Sequence, residues 1–186
     1  MASGRLDGVR MLVVDDDPDV LEAIGTALRS EGADTQLVRD GNAAVAACQD
    51  DPPDVVVLDM MLPKRSGFLV LEKIKGREDS PLVIMVTANE GRRHQAYAES
   101  LGVDRYMLKP VPLERLIDAT VDLLDREEEE EEAAERGEVL PPRGMTVVPP
   151  ATEKKKEEKE PKAGPRGRAV PSRVPGKRPG GGGKRP

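Results

Sequence analysis

The stretch Asp54-Val-Val-Val-Leu-Asp59-Met-Met-Leu-Pro-Lys-Arg-Ser-Gly67 contains the pattern that decides the fold. Its four apolar residues, 55–58, end in a carboxylate and then in a loop that contains Pro63 and Gly67. A short, wholly apolar run bounded by turn residues is typical of a central parallel strand with helices on both faces. Because such a strand excludes charge, Asp59 belongs at its carboxyl end, where open α/β sheets place their ligand sites.

Further β-prone runs alternate with amphipathic segments on either side of this strand. We predict strands over residues 9–14, 35–38, 55–58, 82–86 and 104–108. We predict helices from Pro18 to about Gly32, over 42–49, 67–75 and 91–101, and from Leu113 onward. The strict alternation of strand and helix predicts an α/β fold with five helices, one parallel sheet and right-handed crossovers.

The charged residues divide the chain of 186 residues into three parts. Residues 1–126 contain 15 Lys and Arg against 23 Asp and Glu, together with nearly all the apolar periodicity, so we place a folded domain at 8–126. The glutamate-rich segment that follows predicts an acidic extension of the last helix over 127–136. Residues 139–186 contain 13 basic and 4 acidic residues among frequent Pro and Gly, so we predict a disordered tail over 137–186.

The cysteine and histidine content excludes two kinds of site. One cysteine, Cys48, cannot form a disulfide within the chain, and with one histidine it cannot complete a Cys/His zinc cluster. No stretch approaches the ~20 apolar residues that a membrane helix needs, and the first residues lack the pattern of a signal peptide. We therefore expect a cytoplasmic protein with no membrane insertion.

Polar side chains follow four of the five predicted strands. They are Asp15 and Asp16 after the first strand, Asp59 after the third, Thr87 after the fourth and Lys109 after the fifth. Because the carboxyl ends of parallel strands lie at one edge of the sheet, these side chains become neighbours. Three crowded carboxylates need a cation, and a site made of oxygens suits Mg²⁺ better than zinc. The metal and Lys109 would neutralise a transferring phosphoryl group, for which Asp59 would be the nucleophile.

Four motifs in this order and spacing resemble the receiver domain of bacterial two-component response regulators. The likeness is strongest to chemotaxis-type members that consist of a single domain. The motifs are Val-Val-Asp15-Asp16-Asp-Pro, Val-Leu-Asp59-Met-Met-Leu-Pro-Lys-Arg-Ser-Gly67, Met-Val-Thr87-Ala88 and Tyr106-Met-Leu-Lys109-Pro110. The resemblance covers residues 8–126 and implies the flavodoxin-like strand order 2-1-3-4-5, of which chemotaxis regulators are a known example.

The resemblance implies a phosphoacceptor and a metal site. Asp59 would accept a phosphoryl group from a sensor histidine kinase, so that the protein is a phosphoacceptor and not an enzyme that turns over a separate substrate. Mg²⁺ would be bound by Asp16, by Asp59 and by the backbone carbonyl of Met61, and Asp15 would act mainly through water.

The resemblance also implies a switch that reads the phosphoryl group. Lys109 and Thr87 would contact that group, together with the backbone N–H groups of Met60 and Ala88. Tyr106 would follow Thr87 inward, the Lys109–Pro110 peptide bond would be cis, and a protein partner would bind the face made by residues 88–112. The alternative for Tyr106 is a purely structural aromatic side chain.

Two positions flank the path of the hydrolytic water in this family, and here they are Met61 and Asn89. Met61 is apolar and cannot orient water, so the resemblance predicts slower self-dephosphorylation than a polar residue would give.

The basic tail leaves two alternatives open. Its Lys and Arg residues could bind nucleic acid or another polyanion under control of the receiver, although no aromatic residue is present there to stack on bases. The same charges could instead fold back on the acidic extension or on the acidic edge of the sheet. The favoured function is a stand-alone receiver that binds a protein partner when phosphorylated.

Overall fold

The computed structural model describes residues 4–77, 79–88, 91–141 and 146–150. Within these residues one parallel sheet contains β1 Arg10–Val14, β2 Asp34–Val38, β3 Val55–Leu58, β4 Leu82–Thr87, β5 Arg105–Leu108 and β6 Thr146–Val148. The helices between them are α1 Pro18–Ser30, α2 Gly41–Asp50, α3 Gly67–Lys75, α4 Arg92–Ser100 and α5 Leu113–Glu135. The order β2-β1-β3-β4-β5-β6 contains the predicted order 2-1-3-4-5, so the flavodoxin-like α/β class is confirmed.

The sheet carries a hydrophobic core on each face. β3 and β4 are buried at every residue, as expected of central strands covered on both sides. Alternate side chains along each strand enter opposite cores. Val57 and Ile84 face the core shared with α1 and α5, whereas Val56 and Met85 face the core shared with α2, α3 and α4.

The start of α1 positions the first pair of carboxylates. The Asp17 side chain accepts hydrogen bonds from the backbone N–H groups of Asp19 and Val20, and Pro18 is the first helical residue. This is the predicted N-cap. Because the helix begins directly after the cap, Asp15 and Asp16 stay in the short connection at the end of β1.

The sixth strand differs from the prediction of a five-stranded sheet followed by a disordered tail. Thr146–Val148 pairs in parallel with β5, from Arg105 opposite Thr146 to Met107 opposite Val148. Three β-branched residues suit a strand, and the unpaired edge of β5 supplies backbone partners. The sequence did not predict this additional strand, because the contact is tertiary and is not visible in the composition of the segment.

Parts of three predictions fall on residues outside the described ones. They concern Asn89, residues 142–145 and residues 151–186, the last of which contain 12 of the 13 Lys and Arg residues of the predicted tail. α5 includes the acidic run and ends at Glu135. Among the described residues no helix combines the length and the apolar character that a membrane span requires.

Candidate functional site

The carboxyl ends of β1, β3, β4 and β5 meet at one edge of the sheet. Val14 pairs with Leu58 across β1 and β3, so the residues that follow, Asp15 and Asp59, leave neighbouring strands side by side. On the other side of β3, the backbone N–H of Lys109 donates to the carbonyl of Thr87, at 2.9 Å. The register therefore brings together the strand-end residues that the sequence singled out.

Three carboxylates form a cluster at this edge. Asp15, Asp16 and Asp59 each offer an oxygen atom, and these oxygens lie within 4.8 Å of one another. Asp15 and Asp59 are buried, whereas Asp16 is exposed. The cluster therefore consists of two buried carboxylates and one that is open to solvent.

Backbone N–H groups fix the two buried carboxylates. The N–H of Asp17 donates to Oδ1 of Asp15 at 3.0 Å, and the N–H of Met60 donates to Oδ1 of Asp59 at 2.8 Å. Hydrogen bonds to a charged oxygen are stronger than neutral ones and hold it in a defined direction. Asp15 thus keeps its Oδ2 for a side-chain donor, and Asp59 also accepts a hydrogen bond from the backbone N–H of Met61.

Lys109 is the cation that the structure places against this cluster. Its Nζ lies 2.6 Å from Oδ2 of Asp15 and 3.7 Å from Oδ1 of Asp59. The first distance is a charge-assisted hydrogen bond and the second is an ion pair without one. One ammonium group against three carboxylates leaves the cluster with an excess of negative charge.

The carboxyl group of Asp59 has a raised pKa, mainly because it is buried. Burial raises its pKa above the ordinary value of an aspartate, and the neighbouring Asp15 raises it further. The Lys109 charge and the backbone N–H groups of Met60 and Met61 act in the opposite direction without cancelling the effect. A raised pKa means that the folded protein disfavours the ionised form of Asp59. A bound cation would favour the ionised form instead.

The donor set fits a hard divalent cation. Carboxylate oxygens together with one open side are the environment that Mg²⁺ takes, because it keeps several of its waters and binds through a few protein oxygens. The single cysteine, Cys48, is buried away from the cluster, so no soft ligand competes. The carboxylates of Asp15, Asp16 and Asp59 therefore fit the magnesium site that the sequence predicted.

The loop after β3 requires glycine at one position. The N–H of Gly67 donates to the carbonyl of Met60 at 2.9 Å, which brings the start of α3 against the end of β3. A Cβ atom at Gly67 would lie 2.3 Å from the carbonyl oxygen of Asp59 and 2.7 Å from Cα of Met60. Glycine at residue 67 therefore allows the start of α3 to pack closely against the backbone of Asp59 and Met60.

The remaining predicted site residues lie at different depths. Thr87 is completely buried at the end of β4, whereas Ala88 and Met61 are exposed, Met61 to 68%. Tyr106 does not reach the edge, because it lies within β5, opposite Met85, and is completely buried. The Lys109–Pro110 peptide bond is cis, as the resemblance implied.

Arg39 is a contributor that the sequence analysis missed. Its guanidinium group donates to the backbone carbonyl of Asp16 at 2.9 Å and so ties the end of β2 to the acidic connection. A basic residue directly after the second predicted strand was the available signal. The predicted strand order already placed β2 beside β1, but only the structure shows that the Arg39 side chain reaches the carbonyl of Asp16.

Comparison with known proteins identifies the fold family. The family model described as "Response regulator receiver domain" matches residues 11–121. Among curated relatives, the probable transcriptional regulatory protein TcrX of Mycobacterium tuberculosis is 39% identical over 115 residues, which are 61% of this chain and 49% of that protein. The DNA-binding response regulator MtrA of Mycolicibacterium smegmatis is 36% identical over 119 residues, 64% of this chain and 52% of that protein. The chain thus spans about half the length of these relatives.

A solved structure gives the same result. The CheY-like response regulator receiver domain protein of Methanospirillum hungatei superposes with a TM-score of 0.63 at 27% sequence identity. The match covers 66% of this chain and 98% of that one. The similarity therefore extends over an entire receiver domain.

Proposed function

The chain belongs to the response regulator receiver domain family of two-component systems, and on that premise we propose that it is switched by phosphorylation of Asp59. The observation that carries the proposal is the acidic cluster, in which the ammonium group of Lys109 contacts the carboxylates of both Asp15 and Asp59. Receiver domains in two-component systems receive their signal from histidine kinases. The protein is accordingly a phosphoacceptor that assists its own modification.

The proposed reaction is a transfer from histidine to aspartate. An oxygen of the Asp59 carboxylate attacks the phosphorus of a phosphohistidine on the kinase, the new P–O bond forms, and the P–N bond to the imidazole breaks. The electron pair of the broken bond stays on the imidazole nitrogen, which then takes a proton. Asp59 reacts in its ionised form, which burial disfavours and a cation bound beside it would favour.

The acidic cluster would hold Mg²⁺ through Asp16, Asp59 and the backbone carbonyl of Met61, with Asp15 acting through water. When bound, the metal supplies positive charge that neutralises the oxygens of the transferring phosphoryl group. The open side at Asp16 leaves room for both the ion and the phosphodonor.

Lys109 and the neighbouring donors would hold the phosphoryl group after transfer. The Lys109 ammonium group, now 2.6 Å from Asp15, would share its charge with a phosphoryl oxygen. The backbone N–H groups of Met60 and Ala88 and the hydroxyl of Thr87 would supply further hydrogen bonds. Such donors stabilise charge that develops during transfer because they are already in position.

Phosphorylation would change the positions of Thr87 and Tyr106 and, through them, the surface around α4 and β5. An aspartyl phosphate adds negative charge that biases a two-state element. Thr87 and Tyr106 lie in neighbouring strands on the route from the acidic edge to the face made by residues 88–112. A downstream protein partner would recognise that face in its altered form.

The test is phosphorylation by acetyl phosphate with and without Mg²⁺, in wild type, Asp59→Asn and Asp54→Asn. Asp54 is the matched control because it flanks the opposite end of β3 and pairs with Arg10. We expect Mg²⁺-dependent incorporation in wild type and in Asp54→Asn, and none in Asp59→Asn. Equal incorporation in Asp59→Asn and wild type would overturn the proposal.

A further inference from the structure

The outer edge of β5 is occupied by the protein's own C-terminal segment. In the described part of the chain β6 lies beyond β5, and all three of its residues are in register with β5. An exposed strand edge is a ready template for another strand. The edge that such a partner would use is therefore already taken.

The segment before β6 begins with a defined turn. Gly137 has a φ of 72° and its N–H donates to the carbonyl of Ala134, while the N–H of Glu138 donates to the carbonyl of Ala133. These two bonds form a Schellman motif, which ends a helix and reverses the chain. Ala133 is buried by this arrangement although it follows six consecutive glutamates.

Two arginines of α5 hold the segment on either side of β6. Arg126 donates to the carbonyl of Pro141 at 3.1 Å, before the strand, and Arg115 donates to the carbonyl of Pro149 at 3.4 Å, after it. The same helix that forms the crossover from β5 to β6 thus also fastens both ends of the returning segment. Both bonds are exposed, so each one is weak alone.

The register of β6 places one valine beside the predicted switch residue. Paired residues of neighbouring strands point to the same face, so Val147 lies beside Tyr106 on the face that carries α4. Val148 lies beside Met107 on the opposite face and packs against the core shared with α1 and α5. Tyr106 is completely buried in this arrangement, and burial raises the pKa of its hydroxyl group.

We propose that the outer edge of β5 is a docking site for an extended strand, that residues 146–148 are its resident occupant, and that this occupancy keeps Tyr106 buried. The role of Tyr106 as a signal rests on the proposed function, whereas the docking of β6 in the unphosphorylated chain does not. A partner that adds a strand to β5 has to displace β6. By thermodynamic reciprocity, any event that moves the Tyr106 ring outward also weakens the docking of β6.

The docking of β6 on β5 is weak enough to be reversed by a partner. β6 contains three residues, two of them are exposed, and its outer edge has no partner strand among the described residues. Short strands with few buried side chains lie at the low-stability end of a protein. Docking of this strength can hold a side chain in place and still yield to a partner.

The chain offers a specific probe for Tyr106. It contains no tryptophan and two tyrosines, so in a Tyr97→Phe background Tyr106 is the single tyrosine that fluoresces. Phenylalanine at residue 97 retains the ring that contacts Phe68. Quenching of tyrosine fluorescence by acrylamide then measures the exposure of Tyr106 in the full, unphosphorylated chain.

The variant pair is Val148→Asp and Val139→Asp, each in the Tyr97→Phe background. Val148→Asp places a charge against the core on the face opposite Tyr106, so it detaches β6 without touching the ring. Val139→Asp makes the same change in the same segment at a side chain that is 97% exposed. We expect the quenching constant to rise several-fold in Val148→Asp and to stay at the background value in Val139→Asp.

Hydrogen exchange gives a second readout that does not depend on the ring. Peptides that cover residues 105–108 should lose protection in Val148→Asp and keep it in Val139→Asp. Equal quenching and equal protection in the two variants would overturn the proposal, as would strong quenching in Tyr97→Phe alone. Because no phosphodonor is present, these results stand apart from whether Asp59 accepts phosphate.

Discussion

The two ends of the same parallel strands carry opposite arrangements of charge. At the amino ends, Arg10 pairs with Asp51 and Asp54, and Lys75 pairs with Asp104 at 2.6 Å. At the carboxyl ends, three carboxylates of the acidic cluster face one lysine. The amino ends are therefore the better compensated end, with two cations for three carboxylates, whereas the carboxyl ends have one cation for three.

The difference separates charges that stabilise the fold from charges that bind. The Lys75–Asp104 pair is nearly buried, and Asp104 also accepts the backbone N–H of Val83 at 2.7 Å. Such a pair has its charges and hydrogen bonds satisfied within the protein. Asp15 and Asp59 share the single cation Lys109, so part of the energetic cost of crowding three carboxylates is recovered only when a further cation binds.

Removing the lysine at each end should give the largest difference in phosphorylation rate between the two ends. Lys109→Ala is expected to lower the rate of phosphorylation by acetyl phosphate by about 100-fold, since it deletes a preorganised positive charge at the transferring group. Lys75→Ala, at the compensated end, should leave that rate near wild type and lower the free energy of unfolding instead. Equal phosphorylation rates in the two variants would show that the ends are not functionally distinct.

The same substitution should change stability in opposite directions at the two ends. In the absence of divalent cations, Asp104→Asn should lower the free energy of unfolding by about 2 kcal/mol, because it leaves Lys75 nearly buried and unpaired. Asp59→Asn should raise it by on the order of 1 kcal/mol, because it relieves repulsion in the acidic cluster. Urea unfolding at neutral pH measures both, and destabilisation by Asp59→Asn would contradict the account.

The stabilisation by Asp59→Asn should depend on pH. The raised pKa means that the folded protein binds the Asp59 proton more tightly than the unfolded chain does. The wild type therefore loses stability as the pH rises from about 4, the unfolded value, through the raised folded value. The gain from Asp59→Asn should be small below that window and fully developed above it, and a gain that grows on acidification would have the wrong sign.

A smaller effect is expected beside the acidic cluster. Met61 is 68% exposed and cannot orient a hydrolytic water, so Met61→Asn should speed loss of the phosphoryl group a few-fold. Leu69→Asn is the matched control, since Leu69 is an apolar side chain on α3 that is 49% exposed. Loss of phosphate is followed after removal of the phosphodonor, and equal lifetimes in wild type and Met61→Asn would rule the idea out.

Local patterns were sufficient to predict the arrangement of the core and of the carboxyl edge. The four apolar residues of β3 and the Asp17–Pro18 helix start are features of neighbouring residues, and both appear in the structure at the predicted places. The meeting of Asp15 with Lys109 was predictable because parallel topology forces strand ends to one edge. These features depend on periodicity and topology alone.

Contacts between distant segments were not predictable in this way. β6 lies among Pro and Gly residues, and its three β-branched residues form a strand because the edge of β5 supplies their hydrogen-bond partners. Leu6, upstream of the predicted domain start, is completely buried. The hydrogen bond from Arg39 to Asp16 likewise depends on which strand lies beside β1. Each of these features required the three-dimensional arrangement.

The most direct test of the account locates the phosphoryl group itself. The protein is treated with acetyl phosphate and Mg²⁺, reduced with borohydride, which converts an aspartyl phosphate to homoserine, and digested for peptide sequencing by mass spectrometry. The account predicts homoserine at residue 59, and none when Mg²⁺ is withheld. Homoserine at Asp15, Asp16 or an aspartate of the amino ends, in place of residue 59, would contradict it.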